Sequence, residues 1–317
     1  MRIVMLEPLG VSKSDIESLA NSFIEKGHEF VPCYKKIETK EEKIKLAKGA
    51  DVFIIANSPL HADVINAAEN LKLISVAFVG IDHVDIDACK AKGVRISNAA
   101  GYCAHSVAEL SLGLTLSVLR NLNACDIATR ESKTRVGLVG NELYGKTVGI
   151  VGTGSIGLRV AEIAKVFGCN LLGYSRTEKE EAKELGIKYV PLQELMKESD
   201  IVSLHTPLTP DTKLLINKEM IALMKPSSIL INVARGAVVD NKALADALNE
   251  NKIAGAGIDV FETEPPIPEN HPLLNAKNAL LAPHVAFATD ESMFRRARIV
   301  FENIEAWMNG NIQNIML

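Results

Sequence analysis

TVGIVGTGSIG, residues 147–157, joins an apolar, strand-like run to the helical run Leu158–Phe167. Its glycines have the spacing Gly-x-Gly-x-x-Gly, which carries weight only in such a strand–loop–helix setting. There Gly152 permits a tight turn, Gly154 lets the backbone approach a pyrophosphate, and Gly157 lets the helix pack closely on the strand. The start of the helix adds unpaired N–H groups and the positive end of a dipole. The stretch therefore predicts a dinucleotide-binding loop, formed by Gly152, Gly154, Ser155, Ile156 and Gly157.

Short apolar runs alternate with amphipathic stretches on both sides of this loop, a pattern typical of parallel sheets with crossover helices. The runs are Ile3–Leu6, Phe30–Tyr34, Val52–Ala56, Leu73–Phe78 and Val94–Ser97, then Thr147–Val151, Asn170–Tyr174, Ile201–Leu204, Ile229–Val233, Gly255–Val260 and Ala279–Leu281. Two such series in 317 residues exceed one ordinary core. They predict an α/β protein with two Rossmann-like, doubly wound parallel-sheet domains and a cleft between them.

Two helical stretches determine the predicted domain boundaries. Ser106–Asn121 is apolar on more than one face, so it is either a buried connector or a helix packed between domains or subunits. Asp290–Asn309 has one apolar face and follows the last strand, so it can return to cap the first lobe. We therefore expect a substrate domain of residues 1–98 plus 288–317 and a dinucleotide-binding domain of residues 99–287.

Composition and charge exclude several classes of function. The formal net charge of −4 gives no basic surface for nucleic acid or an anionic membrane. The apolar start Met1–Leu6 is too short for a signal peptide, and no stretch approaches the roughly 20 apolar residues of a membrane span. The five cysteines include no Cys-x-x-Cys pair, which argues against a disulfide framework or a zinc site. We expect a soluble, cytoplasmic protein without a bound metal.

The strand after the glycine loop bears on the choice of dinucleotide. An NAD enzyme presents an acidic residue about 20 positions after the loop, where it binds the adenosine ribose. Ser175 stands 18 residues after Gly157 and is followed by Arg176 and Thr177. A carboxylate is absent there, and hydroxyl and guanidinium donors suit a 2′-phosphate. NADP is therefore predicted in preference to NAD, although Glu178, Glu180 and Glu181 follow closely and could restore repulsion.

Three later segments each end an apolar run with polar groups. They are Ile231–Gly236, Asp259–Pro265 and Ala282–Ala286. Because ligands bind at the carboxyl ends of parallel strands, we expect these segments to converge near the nicotinamide. Gly255-Ala256-Gly257 lies inside a strand pattern and predicts close packing, not a second phosphate loop.

With these segments in place, the whole chain resembles the D-isomer-specific 2-hydroxyacid dehydrogenase family, in particular its hydroxypyruvate and glyoxylate reductases. The matching stretches are Val79–Asp85, Ser106–Glu109, the glycine loop, Val233–Gly236, Asp259–Pro265 and Pro283-His284. One departure is Phe287, an aromatic residue where the family commonly has small ones. The resemblance implies a split substrate lobe around a central dinucleotide lobe, and a homodimer formed largely through the segment after Cys103.

The resemblance also implies roles for individual residues. Arg235 would pair with the substrate carboxylate and polarise the keto oxygen, His284 would be the general acid, and Glu264 would hold the imidazole and raise its pKa. The backbone N–H groups of Val79 and Gly80 would bind the substrate carboxylate. Residues lining the nicotinamide and its ribose would be Thr206, Pro207, Val233, Ala234 and Asp259. Outside this set, His105, His205 and His271 need be no more than turn residues.

The predicted function is an NAD(P)-dependent oxidoreductase that reduces a small, unphosphorylated 2-keto acid, with hydroxypyruvate or glyoxylate favoured. The substrate preference rests on the loops 56–61 and 78–80, which contain no Arg or Lys for a phosphate. A phosphoglycerate dehydrogenase stays an alternative. Another is a dinucleotide-sensing, corepressor-like binding protein, because one fold serves many functions.

Overall fold

A computed structural model describes residues 1–263, 266–311 and 313–317 of the chain. The chain divides into two compact units. Unit 1 combines Met1–Tyr102 with Ala288–Leu317, and unit 2 is the continuous segment Cys103–Phe287. Each unit contains one parallel sheet with helices, which confirms the predicted α/β class.

Unit 1 contains a five-stranded parallel sheet in the order β2-β1-β3-β4-β5. Its strands are β1 (Arg2–Met5), β2 (Glu29–Val31), β3 (Val52–Ile55), β4 (Leu73–Val76) and β5 (Arg95–Ser97). Its helices are α1 (Lys13–Glu25), α2 (Lys40–Ala47), α3 (Ala62–Ala67), α4 (Ile86–Lys92) and, from the end of the chain, α12 (Asp290–Met308). The strands β3 and β4 are buried on both faces, as expected when helices cover a parallel sheet.

The terminal helix α12 belongs to unit 1. It begins at a capping box formed by Thr289 and Ser292. Its buried face contains Ala297, Val300 and Phe301 and packs against β4 and α1. Ser75, inside β4, donates a hydrogen bond to the carbonyl of Val300 (3.1 Å), which ties the helix to the strand.

Unit 2 contains a seven-stranded parallel sheet in the order β12-β11-β10-β9-β6-β7-β8. Its strands are β6 (Thr147–Val151), β7 (Asn170–Tyr174), β8 (Lys188–Tyr189), β9 (Ile201–Leu204), β10 (Ile229–Asn232), β11 (Gly255–Ile258) and β12 (Ala279–Leu281). Its helices are α5 (Ala104–Leu119), α6 (Leu122–Arg130), α7 (Ser155–Val166), α8 (Glu180–Glu184), α9 (Leu192–Glu198), α10 (Lys218–Ile221) and α11 (Asn241–Asn249). Counted from β6, the order is the doubly wound one, with an additional strand beyond β11.

The helix α5 packs along one face of this sheet. It contacts β10, β11, β12 and α7, and its buried side chains include Leu114 and Thr115. A Cβ on Gly255 would crowd Val118, and one on Gly257 would crowd Leu114. The prediction that the Gly255-Ala256-Gly257 stretch serves close packing is therefore confirmed. Within unit 2, α5 thus buries this face against the sheet.

No helix among the described residues is long and apolar enough to cross a membrane.

Candidate functional site

The glycine loop has the geometry that its sequence predicts. Gly152 has φ +98°, a left-handed conformation that favours glycine. A Cβ on Gly157 would overlap the carbonyl oxygen of Gly152, so the close approach of α7 to β6 requires glycine there as well. At Gly154 a Cβ would meet no atom within 4 Å. The loop is therefore closely packed against the protein at Gly157, whereas its surface at Gly154 has space for a ligand.

The start of α7 leaves backbone donors available on that open side. Gly154 caps the helix without a side-chain hydrogen bond, and both Gly154 and Ser155 are exposed. Because the first N–H groups of a helix have no acceptor within it, those of Ser155 and Ile156 can bind an anion. These residues fit the pyrophosphate of a dinucleotide.

The loop lies at the point where the strand order reverses, between β6 and β9. The N–H of His205 donates to the carbonyl of Val151 (2.7 Å), just before the loop. Next to it, the hydroxyl of Thr206 is buried and has no hydrogen-bond partner among the described residues, while Pro207 is exposed. A ligand at this switch point would meet both residues.

His205 is a residue whose structural role the sequence did not indicate. Its Nε2 lies 2.8 Å from the hydroxyl of Ser203, which in turn lies 3.0 Å from that of Ser111 on α5. Burial lowers the pKa of this histidine to about 3, so the ring is neutral at physiological pH. The only signal in the sequence is its place directly after a buried strand.

The adenosine side of the site follows β7. Ser175 is half-buried, whereas Arg176 and Thr177 are exposed. Within the part of the chain that the structure describes, Arg176 forms no ion pair. The three nearby glutamates all have lysine partners: Glu178 and Glu180 contact Lys183 (3.1 and 3.0 Å), and Glu181 contacts Lys179 (3.2 Å).

The turn after β10 carries Arg235. Asn232 shapes this turn: its amide accepts from the N–H of Ala234 (3.1 Å) and donates to the carbonyl of Arg235 (3.0 Å). Val233 is buried and Ala234 half-buried. A Cβ on Gly236 would overlap the backbone of Phe261, so the turns after β10 and β11 touch. The half-buried Arg235 guanidinium donates to the carbonyl of Ala234 (2.8 Å) from an extended backbone.

The turn after β12 carries His284 and is held by Asp259, at the end of β11. The fully buried carboxylate of Asp259 accepts from the N–H groups of Val285 (2.8 Å) and Ala286 (2.9 Å). The N–H of His284 donates to the carbonyl of Asp259 (2.8 Å). His284 itself has φ +56°, and its ring packs edge-on against Phe287 with centroids 5.4 Å apart. These contacts give the imidazole a defined direction.

Glu264, the predicted partner of the imidazole, lies outside the described residues. The segment just before it is anchored by Glu262, whose carboxylate lies 2.9 Å from Nε2 of the buried His271. The N–H of Leu273 donates to the Nδ1 atom of His271. Burial alone would raise the pKa of Glu262, but hydrogen bonds from His271 and its neighbours outweigh it and lower that pKa.

In unit 1, Val79 and Gly80 follow β4. The side-chain amide of Asn98 donates to the carbonyl of Val79 (2.8 Å), and the N–H of Ala99 donates to the carbonyl of Phe78 (2.9 Å). Val79 is exposed, and the N–H groups of Val79 and Gly80 have no acceptor among the described residues. Two backbone donors are therefore available at this edge.

The carboxyl edge of the unit 2 sheet thus brings most of the predicted residues together. From one side to the other it carries His284, Asp259, Arg235, Thr206, the glycine loop and Ser175, because all its strands are parallel. Such an edge combines a dinucleotide loop with a guanidinium and an imidazole, the groups that acid-assisted reduction of a carboxylate-bearing carbonyl needs.

Comparison with known proteins agrees with this arrangement. Residues 112–286 match the family "D-isomer specific 2-hydroxyacid dehydrogenase, NAD binding domain". Glyoxylate reductase of Korarchaeum cryptofilum is 41% identical over 281 residues, which are 86% of this chain and 84% of that protein. D-3-phosphoglycerate dehydrogenase of Methanocaldococcus jannaschii is 41% identical over 278 residues, but these span 53% of its length.

A solved structure shows the same fold over the full length of both chains. It is an acyclic imino acid reductase (Bsp5) in complex with NADPH and D-Arg, 28% identical, with a TM-score of 0.89 and 100% of each chain covered. The chain therefore belongs to the D-isomer specific 2-hydroxyacid dehydrogenase family and is an NAD(P)-dependent oxidoreductase that acts on 2-hydroxy acids.

Proposed function

We propose that this enzyme reduces a small, unphosphorylated 2-keto acid to the 2-hydroxy acid, with hydroxypyruvate and glyoxylate as the favoured substrates. The observation that carries the proposal is the convergence of Arg235, His284 and the glycine loop on one edge of the unit 2 sheet. When bound, the dinucleotide supplies the hydride that reduces the keto carbon.

We assign the remaining chemistry to side chains of this chain. The planar guanidinium of Arg235 binds the substrate carboxylate and polarises the keto oxygen, a task that suits its fork of donors. His284 donates a proton to that oxygen as negative charge develops there, and it accepts the proton in the oxidation direction. Glu264 is assigned the task of keeping the imidazole protonated nearer neutral pH, because a nearby negative charge favours the charged ring.

Asp259 has a second, positioning role in this proposal. Its carboxylate is occupied by the N–H groups of Val285 and Ala286, which fixes the turn that carries His284. Contact with the nicotinamide carboxamide, expected from the family resemblance, stays a prediction. Val79 and Gly80 are assigned to the substrate carboxylate through their available N–H groups.

The substrate is proposed to be unphosphorylated because the unit 1 loops offer no cation. Residues 56–61 and 78–80 include no Arg or Lys, and desolvating a phosphate without a cation is costly. The test is the rate of oxidation of the reduced nicotinamide, followed by absorbance, with a panel of 2-keto acids. A kcat/KM for 3-phosphohydroxypyruvate equal to or above that for hydroxypyruvate and glyoxylate would contradict the proposal.

We further propose that NADP(H) is preferred to NAD(H). The strand end carries Ser175, Arg176 and Thr177 in place of a carboxylate, and these donors suit a 2′-phosphate. Lys179 and Lys183, which pair with Glu178, Glu180 and Glu181, offset two of the three negative charges that follow the strand end. The guanidinium of Arg176 is exposed and has no ion pair within the described ranges, so it can reach a bound phosphate.

A homodimer formed through unit 2 is the proposed assembly. The segment after α5 and the end of α7 expose large apolar side chains, including Val136 (86% exposed), Val139 (83%), Tyr144 (77%) and Val166 (86%). An exposed apolar set of this kind is typical of a protein interface. The test is the molar mass in solution, measured for the wild type, for the interface variant Val139→Glu and for the control Ile24→Glu, which changes an exposed apolar residue of unit 1. A monomeric wild type would contradict the proposal.

The cytoplasm is the proposed location. All five cysteines are free, and three of them are buried, as expected in a reducing compartment.

A further inference from the structure

The carboxyl edge of the unit 1 sheet contains a buried carboxylate that has no part in the mechanism above. Glu7 lies two residues after the end of β1 and is 6% exposed. Its Oε2 atom accepts the N–H groups of Asn57 (3.2 Å) and Ser58 (3.1 Å), which belong to the loop after β3. One oxygen of the carboxylate is thus held by two backbone donors.

The second oxygen is available. No donor among the described residues contacts Oε1 of Glu7. This atom is also not one of the fully buried polar atoms that lack a hydrogen-bond partner, so it can be reached from outside the chain. A buried carboxylate is costly unless its oxygens are hydrogen-bonded. The remaining acceptor capacity therefore suits a donor that comes from outside the chain.

Glu7 also lies where the unit 1 sheet would bind a ligand. The chain leaves β1 for β2 on one side and returns to β3 on the other, so the strand order reverses between β1 and β3. In open parallel sheets, ligands bind outside the carboxyl ends of the strands at this switch point. Glu7 lies at this switch point, because its side chain reaches from the end of β1 to the loop after β3.

The neighbouring loops are held in a fixed arrangement. The N–H of Leu60 donates to the carbonyl of His83 (2.9 Å), and the N–H of Asp85 donates to the carbonyl of Leu60 (3.0 Å). Because β3 and β4 are neighbours in the sheet, the loop that holds the Glu7 carboxylate and the loop that carries the Val79–Gly80 donors follow adjacent strands.

We propose that Glu7 determines substrate specificity: its Oε1 accepts a hydrogen bond from a hydroxyl on the carbon farthest from the substrate carboxylate. The inference rests on the proposed function, and on the assignment of Val79 and Gly80 to the substrate carboxylate. A carboxylate in this position selects 3-hydroxy-2-keto acids such as hydroxypyruvate over pyruvate, which has no donor there. It also repels a phosphate on that carbon.

The wild-type enzyme provides the first test. Hydroxypyruvate and pyruvate differ only in the hydroxyl, and a hydrogen bond to a charged acceptor is worth roughly tenfold or more in binding. We expect kcat/KM for hydroxypyruvate to exceed that for pyruvate by at least about 10-fold. Equal values would overturn the inference. Failure to reduce any 2-keto acid would instead overturn the proposed function.

The variant Glu7→Gln provides the second test. Its amide oxygen can still accept from Asn57 and Ser58, so the loop keeps its support, while the outward group becomes a donor. We expect kcat/KM for hydroxypyruvate to fall about 10-fold, that for glyoxylate and pyruvate to change less than about 2-fold, and that for 3-phosphohydroxypyruvate to rise. The exposed Glu69→Gln is the matched control and should change none of them. An equal fall for all substrates would show that Glu7 only supports its loop.

Discussion

His284 occupies a left-handed backbone position, and this allows its catalytic and structural contributions to be measured separately. A residue other than glycine pays roughly 1 kcal/mol for such a conformation, and asparagine tolerates it better than histidine. His284→Asn therefore gains backbone stability while it loses the edge-on contact with Phe287, which is worth about 0.5–1.5 kcal/mol. The two terms have opposite signs, so we expect the free energy of unfolding to change by less than about 1 kcal/mol.

The catalytic effect should be much larger. A positioned proton donor contributes about 10²–10⁴-fold to the rate. Each tenfold change in rate corresponds to about 1.4 kcal/mol of activation free energy. His284→Asn and His284→Ala should therefore each raise the activation free energy of reduction by about 3–5 kcal/mol. The loss should appear in kcat for reduction, with the dinucleotide dissociation constant nearly unchanged.

The assay combines three measurements on each variant: kcat for reduction of hydroxypyruvate and glyoxylate, the dissociation constant of the dinucleotide, and thermal unfolding. His28→Asn is the matched control, since His28 lies before β2 and contacts the chain's amino terminus. If His284→Asn keeps near-normal turnover, its assignment as the general acid is wrong. If turnover falls only together with stability and dinucleotide affinity, the role of His284 is structural.

Three further predictions concern the dinucleotide site and its support. Gly157→Ala should lower the free energy of unfolding by about 1–3 kcal/mol, because its Cβ overlaps the Gly152 carbonyl. Gly154→Ala should unfold like the wild type but bind the dinucleotide more weakly. Similar melting curves and similar dinucleotide affinities for the two variants would contradict the assignment of the loop. The ratio of kcat/KM for NADPH to that for NADH should exceed one in the wild type and fall in Ser175→Asp with Arg176→Ala; a wild-type preference for NADH would refute the proposed cofactor selectivity. Burial lowers the pKa of His205 from 6.5 to about 3, so protonation favours the unfolded chain, and the stability that this neutral histidine provides is present above pH 6.5 and lost as the pH falls towards 3. The free energy of unfolding, measured in urea across this pH range, should rise with pH, and His205 should contribute about 1.4 kcal/mol per pH unit to that slope. The slope should be smaller in His205→Gln. Identical slopes for the wild type and the variant would mean that His205 is not buried in its neutral form.

Much of the fold could be predicted because the signals that specify it are local. Apolar runs bounded by turns predicted eleven of the twelve strands found among the described residues. The twelfth is the edge strand β8, whose two residues, Lys188 and Tyr189, are too few to form a pattern. The glycine loop could be located to the residue, because the turn at Gly152 and the close approach at Gly157 each require glycine. That the polar strand ends share one edge of the sheet follows once the strands are parallel.

What the tertiary structure alone decides are contacts between segments distant in the chain. Asp259 ends one strand and supports the turn after the next, 26 residues away, which no local pattern indicates. His205 sits after an ordinary buried strand, yet its chain of hydroxyl contacts reaches α5, 92 residues before Ser203. Glu7 looks like a solvated residue before Pro8, but the sheet order brings the loop after β3 against it, 50 residues later. Hydrophobic periodicity records which side chains are buried, whereas the partner of a buried polar group depends on strand order, and that order is set by the packing of the whole unit.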